Sequence, residues 1–263
     1  MKAISSRDNA LYKELKNLAN SSQARKKSGQ TILDGVHLCQ AYLQHRGAPK
    51  ICVISDACIN HHEVNPIIAQ CEGENVQVIH LPDALFQALS QVENGIGILF
   101  VISTPQSTLS GKLIKSAVVL DNLQDPGNLG SILRSAAGAG IHQVFCSLGT
   151  ASAWSPKVLR AGMGAHFLLE IFEAVNLHEL FKNTTIPVLA TSSHTSTTIY
   201  QCDLRRDVAW LFGHEGQGVA DDLMALATDI VTIPQRSDIE SLNVAASAAI
   251  CFFEQVRQRN SFS

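Results

Sequence analysis

Hydrophobic positions near the start of the chain follow a helical period, and further along they follow strand and helix patterns in turn. Leu11, Leu15 and Leu18 recur at helical spacing, which predicts an initial helix over residues 9–19. Short β-rich runs follow, separated by helical patterns, and their sequences are TILDG, KICVIS, VQVIHLP and GILFVIS. Strands that alternate with helices are typical of an α/β layered domain, so we predict a small α/β domain over residues 1–104.

The same alternation restarts after a polar segment, TPQSTLSGK, which contains Pro and Gly and has no periodicity. We take residues 105–115 as a linker. The strand runs after it are AVVLDNL, QVFCSL, FLLEIF, PVLATSS, VAWLFG and DIVTIP, and a long C-terminal helix begins near Ser241. Runs such as AVVL and VAWLF are apolar throughout, as expected for central strands buried on both faces. Residues 116–263 should therefore form a parallel sheet with helices on both faces.

Composition narrows the class of protein. Of the 263 residues, 46% are hydrophobic and 16% are charged, which excludes a disordered chain. The longest apolar stretch has twelve residues, fewer than the about 18 to 20 that cross a bilayer. The first residues, MKAISSRDNALYKELK, contain no apolar signal segment. We expect a soluble, cytoplasmic protein.

Cysteine and histidine patterns argue against metal binding. The seven cysteines form no C-x-x-C pair, and their odd number and wide spacing indicate reduced core residues. Among the ten histidines only His61 and His62 lie close in sequence. With no Cys/His ladder and no H-E-x-x-H motif, we expect no metal site.

Charge is distributed unevenly along the chain. The formal net charge is −3, but residues 1–50 contain nine basic and three acidic residues, and the remainder is acidic. A basic N-terminal part on an acidic body favours contact with a polyanion at one end. The alternative interpretation is a solvated helix face followed by a polar loop, ARKKSGQ, and charge alone leaves both open.

Three loops follow strands of the second predicted domain at the edge where parallel sheets bind ligands: residues 121–130, 213–218 and 234–243. In the first loop, Asn128 is a candidate N-cap and Arg134 lies two turns into the following helix. The alternative interpretation of this loop is purely structural: a capped helix with a surface arginine.

The second and third loops also carry polar side chains. Three glycines surround Glu215, which permits close approach of the backbone but is weak evidence for a ligand loop by itself. Ser241 and Asn243 begin a helix whose next residues are small and apolar, and free N–H groups at such a helix start suit a polar ligand. Alternatively, Ser241 is the N-cap of a core helix.

The three loops in this order carry a specific combination of motifs. D-N-x-x-D-P-x-N-x-G-x-x-x-R, F-G-x-E-G-x-G and I-P followed by E-S-L-N-V-A-x-S-x-A lie within residues 117–259. The combination resembles the SpoU (TrmH-type) RNA ribose methyltransferases of the SPOUT superfamily, and VLRAGMGAHFLLEIF also matches that family. The N-terminal segment, on layout and the residues ILDGVHL, is similar to the small ribosomal-protein-like RNA-binding domain of many members.

The resemblance implies a fold, a co-substrate and an assembly. The second domain would contain a deep trefoil knot that binds S-adenosyl-L-methionine (AdoMet), and the active site would be completed in a homodimer. Residues matching the cofactor positions are Thr191, Gly213, Ile233 and Leu242. The alternative interpretation of Ile233 and Leu242 is that they pack in the core and do not contact the cofactor.

The family's catalytic positions match Asn128, Arg134, Glu215, Ser241 and Asn243. The implied reaction transfers a methyl group from a sulfonium to a ribose 2′-hydroxyl. Arg134 would either assist removal of the hydroxyl proton or, because a guanidinium stays protonated, clamp a phosphate and stabilise the developing alkoxide. Glu215 would orient Arg134 or a backbone turn.

The substrate implied by the extra N-terminal domain is ribosomal RNA, with tRNA as the alternative. The basic residues expected to contact RNA are Arg7, Lys13, Arg25, Lys26 and Lys27. Two other functions compete: a non-catalytic RNA-binding protein, and an α/β enzyme with another nucleotide cofactor, for which no phosphate motif is present. His214, Gln235 and Ser237 depart from the family's usual residues, which bears on AdoMet affinity.

Overall fold

The chain adopts an α/β fold, as predicted, in two compact units. The computed structural model describes residues 1–92, 95–105, 107, 113–236 and 241–260. One unit comprises Met1–Pro105 and Trp154–Phe167, and the other comprises Gln106–Ala153 and Leu168–Ser263. Most of the predicted linker, residues 105–115, lies outside the described residues.

The N-terminal part of the first unit alternates strands and helices around a five-stranded mixed sheet. In chain order its elements are β1 (Lys2–Ala3), α1 (Ala10–Asn20), α2 (Ser22–Ser28), β2 (Gln30–Asp34), α3 (Val36–Arg46), β3 (Ile51–Ser55), α4 (Asn65–Gly73), β4 (Gln77–Leu81), α5 (Asp83–Gln87) and β5 (Ile98–Ser103). The strand order is β1-β4-β3-β5-β2. Strands β1, β4 and β3 run parallel, whereas β5 is antiparallel to β3 and β2.

The first two helices show how local sequence sets the elements. Asn9 caps α1 by accepting hydrogen bonds from the backbone N–H groups one turn ahead, and the leucine face predicted for this helix packs into the core. Residues 22–28 form α2, so the polar-loop interpretation of ARKKS is wrong. Ser21 caps the start of α2, and Gly29, at φ 61°, ends it in the left-handed conformation that glycine tolerates.

The second unit is built on a six-stranded sheet in which all strands are parallel. In chain order the elements are β6 (Ala117–Leu120), α6 (Pro126–Gly138), β7 (Gln143–Ser147), α7 (Pro156–Gly162), β8 (Glu170–Val175), α8 (Leu177–Lys182), β9 (Val188–Thr191), β10 (Ala209–Phe212), α9 (Asp221–Met224), β11 (Asp229–Val231) and α10 (Val244–Asn260). Of these, α7 belongs to the first unit. The strand order is β11-β9-β10-β6-β7-β8.

Two details differ from the predicted elements. Strand β8 begins at Glu170, because residues 165–168 form a 3₁₀ helix, so the predicted run FLLEIF started too early. The segment Trp154–Phe167 belongs to the first unit, although a contiguous domain over 116–263 was predicted. Thr31 Oγ1 donates to Trp154 O at 2.8 Å, and the Tyr42 and Phe167 rings meet edge-on at 5.3 Å.

Helices cover both faces of the six-stranded sheet. Successive side chains of a strand point to opposite faces. Leu211 packs with side chains of α8 and α9, whereas its neighbours on β10, Trp210 and Phe212, contact α10. Trp210 Nε1 donates to the buried Gln255 Oε1 at 3.1 Å, which fixes α10 against the sheet. Among the described residues, no helix has the length and hydropathy needed to cross a membrane.

Candidate active site

The candidate active site lies at the carboxyl ends of neighbouring strands in the second unit. Strands β6 and β10 are hydrogen-bonded neighbours, and both point the same way. The loops that follow them are therefore adjacent, although about 90 residues separate them in sequence. The start of α10 joins them through a side-chain contact described below.

The first loop turns into α6 at Asp125, not at Asn128 as predicted. Asp125 Oδ1 accepts a hydrogen bond of 2.7 Å from Asn128 N, and Pro126 occupies the first helical position, where no N–H is needed. Asn128 is therefore the third residue of the helix. Its side chain does not cap α6 and is available for contacts with other loops.

Glu215, in the second loop, holds the first loop through its carboxylate. Its oxygens accept from Gln124 N at 3.2 Å, Asp125 N at 2.9 Å and Asn128 Nδ2 at 3.2 Å. Burial raises the pKa of Glu215, but the hydrogen bonds, first that from Asp125 N, outweigh it and hold the pKa below its ordinary value. Of the two predicted roles, Glu215 orients a backbone turn.

Asn243 connects the third loop to the other two. Its Oδ1 accepts from Ala245 N at 2.9 Å and Ala246 N at 3.2 Å, so Asn243 is the N-cap of α10 and the interpretation of Ser241 as the cap is wrong. Its Nδ2 donates to Asn128 Oδ1 at 2.9 Å. We call the three side chains Asn243, Asn128 and Glu215 the Asn–Asn–Glu network. In both asparagines the amide nitrogen donates toward the next member of the network, so the hydrogen bonds agree on one orientation for each amide.

Arg134 and Ser241 do not join this network. Arg134 is exposed on α6, six residues after Asn128, and makes no hydrogen bond or ion pair with the residues that the structure describes. Ser241 is exposed, two residues before the Asn243 cap. The structure thus brings three of the five predicted catalytic side chains into contact and leaves the Arg134 cation and the Ser241 hydroxyl open to solvent.

The predicted cofactor residues lie at the same edge of the sheet. Thr191 ends β9, and its Oγ1 donates to Leu211 O at 3.3 Å. Gly213 follows β10, where a Cβ would lie only 2.1 Å from backbone atoms of Gly218, so the turn back of the chain itself requires glycine. Ile233 is half-buried after β11, and Leu242 is 37% exposed, so Leu242 is not a core residue. Of the departures from the family pattern, Ser237 lies outside the described residues.

The five predicted RNA contacts are not equivalent. Arg25 Nη1 donates to Leu18 O at 2.7 Å and Ala19 O at 3.2 Å, so this guanidinium closes the end of α1. Lys13 pairs with Asp8 at 3.0 Å on the surface. Arg7 is exposed before α1, and the exposed side chains of α2 include Lys26 and Lys27. Arg25 thus has a structural role, because it connects α2 to the end of α1. The number of basic residues in the sequence could not indicate this role.

The cysteines and the acidic and histidine side chains form no metal site in the described part of the chain. All seven thiols are free, and six of them are buried.

A model described as the SpoU rRNA Methylase family matches residues 115–253, more than half of the chain. The chain belongs to this family. An uncharacterized tRNA/rRNA methyltransferase of Synechocystis sp. is 31% identical over 98% of this chain and 94% of its own. The 23S rRNA (guanosine(2553)-2′-O)-methyltransferase RlmP of Bacillus subtilis is 29% identical over 96% of this chain and 98% of its own.

Solved structures share the fold of this SpoU family member. The AdoMet-bound rRNA methyltransferase from Sinorhizobium meliloti superposes with a TM-score of 0.85, covering 97% of each chain at 24% identity. The matched family region contains the whole Asn–Asn–Glu network, Arg134 and the four predicted cofactor residues.

Proposed function

We propose that this protein transfers a methyl group from AdoMet to a ribose 2′-hydroxyl of RNA, and that the RNA is ribosomal. The observation that carries the proposal is the Asn–Asn–Glu network, which holds three separate loops together at the start of α6, the helix that also carries the exposed Arg134. Its residues lie in the region matched by the SpoU family, and the Bacillus relative is named as a 23S rRNA 2′-O-methyltransferase.

The edge formed by β9, β10 and β11 fits AdoMet. Gly213 leaves no side chain at the end of β10, while Ile233 and the partly exposed Leu242 offer apolar surface for a base. Bound there, AdoMet would supply the methyl group on its sulfonium. Thr191 lies at the same edge, at the end of β9. None of the four predicted cofactor residues carries a charge that would repel the sulfonium.

The chain's own residues would position the ribose. Asn128, Glu215 and Asn243 are already bonded to one another, so they form a fixed frame at the start of α6. Arg134 stays protonated, because a guanidinium does not lose its proton in proteins. It would bind the adjacent phosphate and stabilise the alkoxide that remains when the 2′-hydroxyl gives its proton to water, and Ser241 would contact the ribose. The ribose oxygen would then bond the methyl carbon as the carbon–sulfur bond of the sulfonium breaks, which leaves a neutral thioether.

The proposal also includes RNA docking by basic residues of the N-terminal part, a homodimer and a trefoil knot. Arg7, Lys26 and Lys27 would contact RNA, with smaller parts for Lys13 and Arg25, which have partners already. On α10, Phe253 is 49% exposed, and this apolar side chain suits contact with a second copy of the chain. The trefoil knot remains a prediction from the family resemblance, and a cytoplasmic location remains a prediction from the sequence pattern.

The test is transfer of labelled methyl groups from AdoMet to unmodified rRNA and tRNA, offered separately. Arg134→Ala should keep AdoMet binding and lower transfer by about 100-fold or more, as when one stabilising donor is removed. Arg205→Ala is the matched control, because this exposed arginine pairs with Asp203 before β10, at the opposite edge of the sheet.

Label in rRNA that disappears with Arg134→Ala would support the proposed reaction, its substrate and the role of Arg134. Label in tRNA alone would keep the reaction and overturn the substrate. Loss of AdoMet affinity in Arg134→Ala would overturn the role of Arg134. No label in either RNA, together with no AdoMet binding, would favour the non-catalytic RNA-binding protein.

A further inference from the structure

The turn that carries Glu215 has an unusual internal anchor. Backbone hydrogen bonds from His214 N to Gly218 O at 2.9 Å and from Gly218 N to His214 O at 2.8 Å close a short hairpin. Inside it, His214 Nδ1 accepts from Gly216 N at 2.9 Å and from Gln217 N at 3.2 Å. One ring nitrogen thus binds two backbone amides of the turn.

Two other features hold this turn: the Glu215 carboxylate binds the first loop, and Val219, just after the hairpin, is buried in the core. Residues 215–218 are all exposed, so no buried side chain anchors the tip of the hairpin. Beyond the hairpin, Ala220 N donates to Asp121 Oδ2 at 3.1 Å, which ties the far end of the loop to the end of β6. Between these two anchors, the polar contacts of His214 define the course of the backbone that places the Glu215 carboxylate.

The contact also fixes the state of the ring. Two N–H donors point at Nδ1, so Nδ1 must carry a lone pair and the proton of the neutral imidazole must be on Nε2. Nδ1 of histidine and Oδ1 of asparagine are both bonded to Cγ. An asparagine at position 214 could therefore accept the same two hydrogen bonds, as asparagine does in turns that begin with it.

We propose that His214 is a positioning residue for Glu215: its neutral ring holds the Gly216 and Gln217 amides, and thereby the carboxylate that binds the first loop. The proposal rests on the proposed methyl transfer, since the role of Glu215 in that reaction gives the turn its function. His214 itself touches no reacting atom.

The experiment compares His214→Asn, which keeps an acceptor on Cγ, with His214→Ala, which removes it. Full-length protein is assayed for methyl transfer to unmodified rRNA, AdoMet affinity, thermal midpoint, and hydrogen exchange of the Gly216 and Gln217 amides. His142→Ala is the control, because this exposed histidine lies just before β7, at the other edge of the sheet.

We expect His214→Ala to lower kcat by about 5- to 30-fold, which corresponds to losing one to two neutral hydrogen bonds of about 1 kcal/mol each. Exchange of the two amides should accelerate, and the thermal midpoint should fall by about 2–4 °C for each kcal/mol lost. His214→Asn should restore kcat to within about 3-fold of the original and restore amide protection.

Wild-type turnover in His214→Ala would overturn the proposal, and so would His214→Asn behaving like His214→Ala. If the unaltered protein labels no RNA, the proposed function fails and the catalytic part of this proposal fails with it. Amide exchange then still tests the contact: unchanged exchange in His214→Ala would show that the ring does not hold the turn.

Discussion

Asn243 makes two kinds of hydrogen bond at once, and two substitutions separate them. Its Oδ1 caps α10 by accepting from Ala245 N and Ala246 N, while its Nδ2 donates to Asn128 Oδ1. Asn243→Asp keeps an oxygen acceptor for the cap and removes the donor. Asn243→Ala removes both.

The two variants should differ in stability, and both should lose activity. Loss of the cap in Asn243→Ala costs about 1 kcal/mol, which lowers the thermal midpoint of a domain of this size by about 2–4 °C. Asn243→Asp should keep the cap, because a carboxylate at a helix N-terminus is favourable, so its thermal midpoint should fall less. Both variants lose a net 0.5–1.5 kcal/mol from the bond to Asn128, which corresponds to about 2- to 13-fold in turnover.

Asn243→Asp should be the less active of the two. Its carboxylate would face Asn128 Oδ1, and Asn128 cannot rotate its amide without losing the bond to Glu215. We therefore expect turnover of Asn243→Asp to fall by at least about 10-fold, while its thermal midpoint stays above that of Asn243→Ala because the cap is kept.

Circular dichroism during heating measures the thermal midpoint of each variant. Methyl transfer at saturating AdoMet measures its turnover. Full turnover in Asn243→Asp, with loss confined to Asn243→Ala, would refute the reasoning. It would mean that Asn243 acts only by stabilising α10.

Three further predictions address the cofactor edge, the core and pH. Gly213→Ala should lower AdoMet affinity at least about 10-fold in calorimetry, because its Cβ would overlap the opposing backbone, whereas Gly216→Ala, with 3.7 Å to the nearest atom, should bind normally. Gln255→Leu should lower the free energy of unfolding by about 1–3 kcal/mol in urea, because it leaves the buried Trp210 Nε1–H without an acceptor; an unchanged value would contradict this. Since the folded pKa of Glu215 is lowered, its carboxylate contributes stability above about pH 4.3 that is lost as pH falls through the folded pKa. The stability difference from Glu215→Gln should therefore shrink on acidification; a constant difference from pH 3 to 7 would be inconsistent.

The strands were predictable because their burial leaves a direct mark on the sequence. Runs such as AVVL in β6 and AWLF in β10 are buried at every position, and only a strand with helices on both faces requires this. The parallel direction of the sheet then follows from the intervening helices. Those two steps were enough to identify the loops of the candidate site.

Side-chain partners were predicted less well, because they depend on how distant segments meet. Asn128 was expected to cap α6, but an aspartate followed directly by proline is the stronger helix-start signal, and Asp125 is the cap. Arg25 was expected to bind RNA, yet its guanidinium binds two carbonyls at the end of α1. No local pattern indicates which charged side chain will close a neighbouring helix.

The arrangement also separates two kinds of group at the site. Asn128, Glu215 and Asn243 satisfy one another and the backbone around them, so their positions are set before any substrate binds. Arg134 has no partner among the described residues and is exposed on the same helix as Asn128. An exposed guanidinium can bind an anion from outside through two parallel hydrogen bonds, and two oxygens of an RNA phosphate can accept them. The frame would therefore set where the ribose lies, and RNA would supply the group that fixes the arginine, so that the site becomes complete only when its substrate is bound.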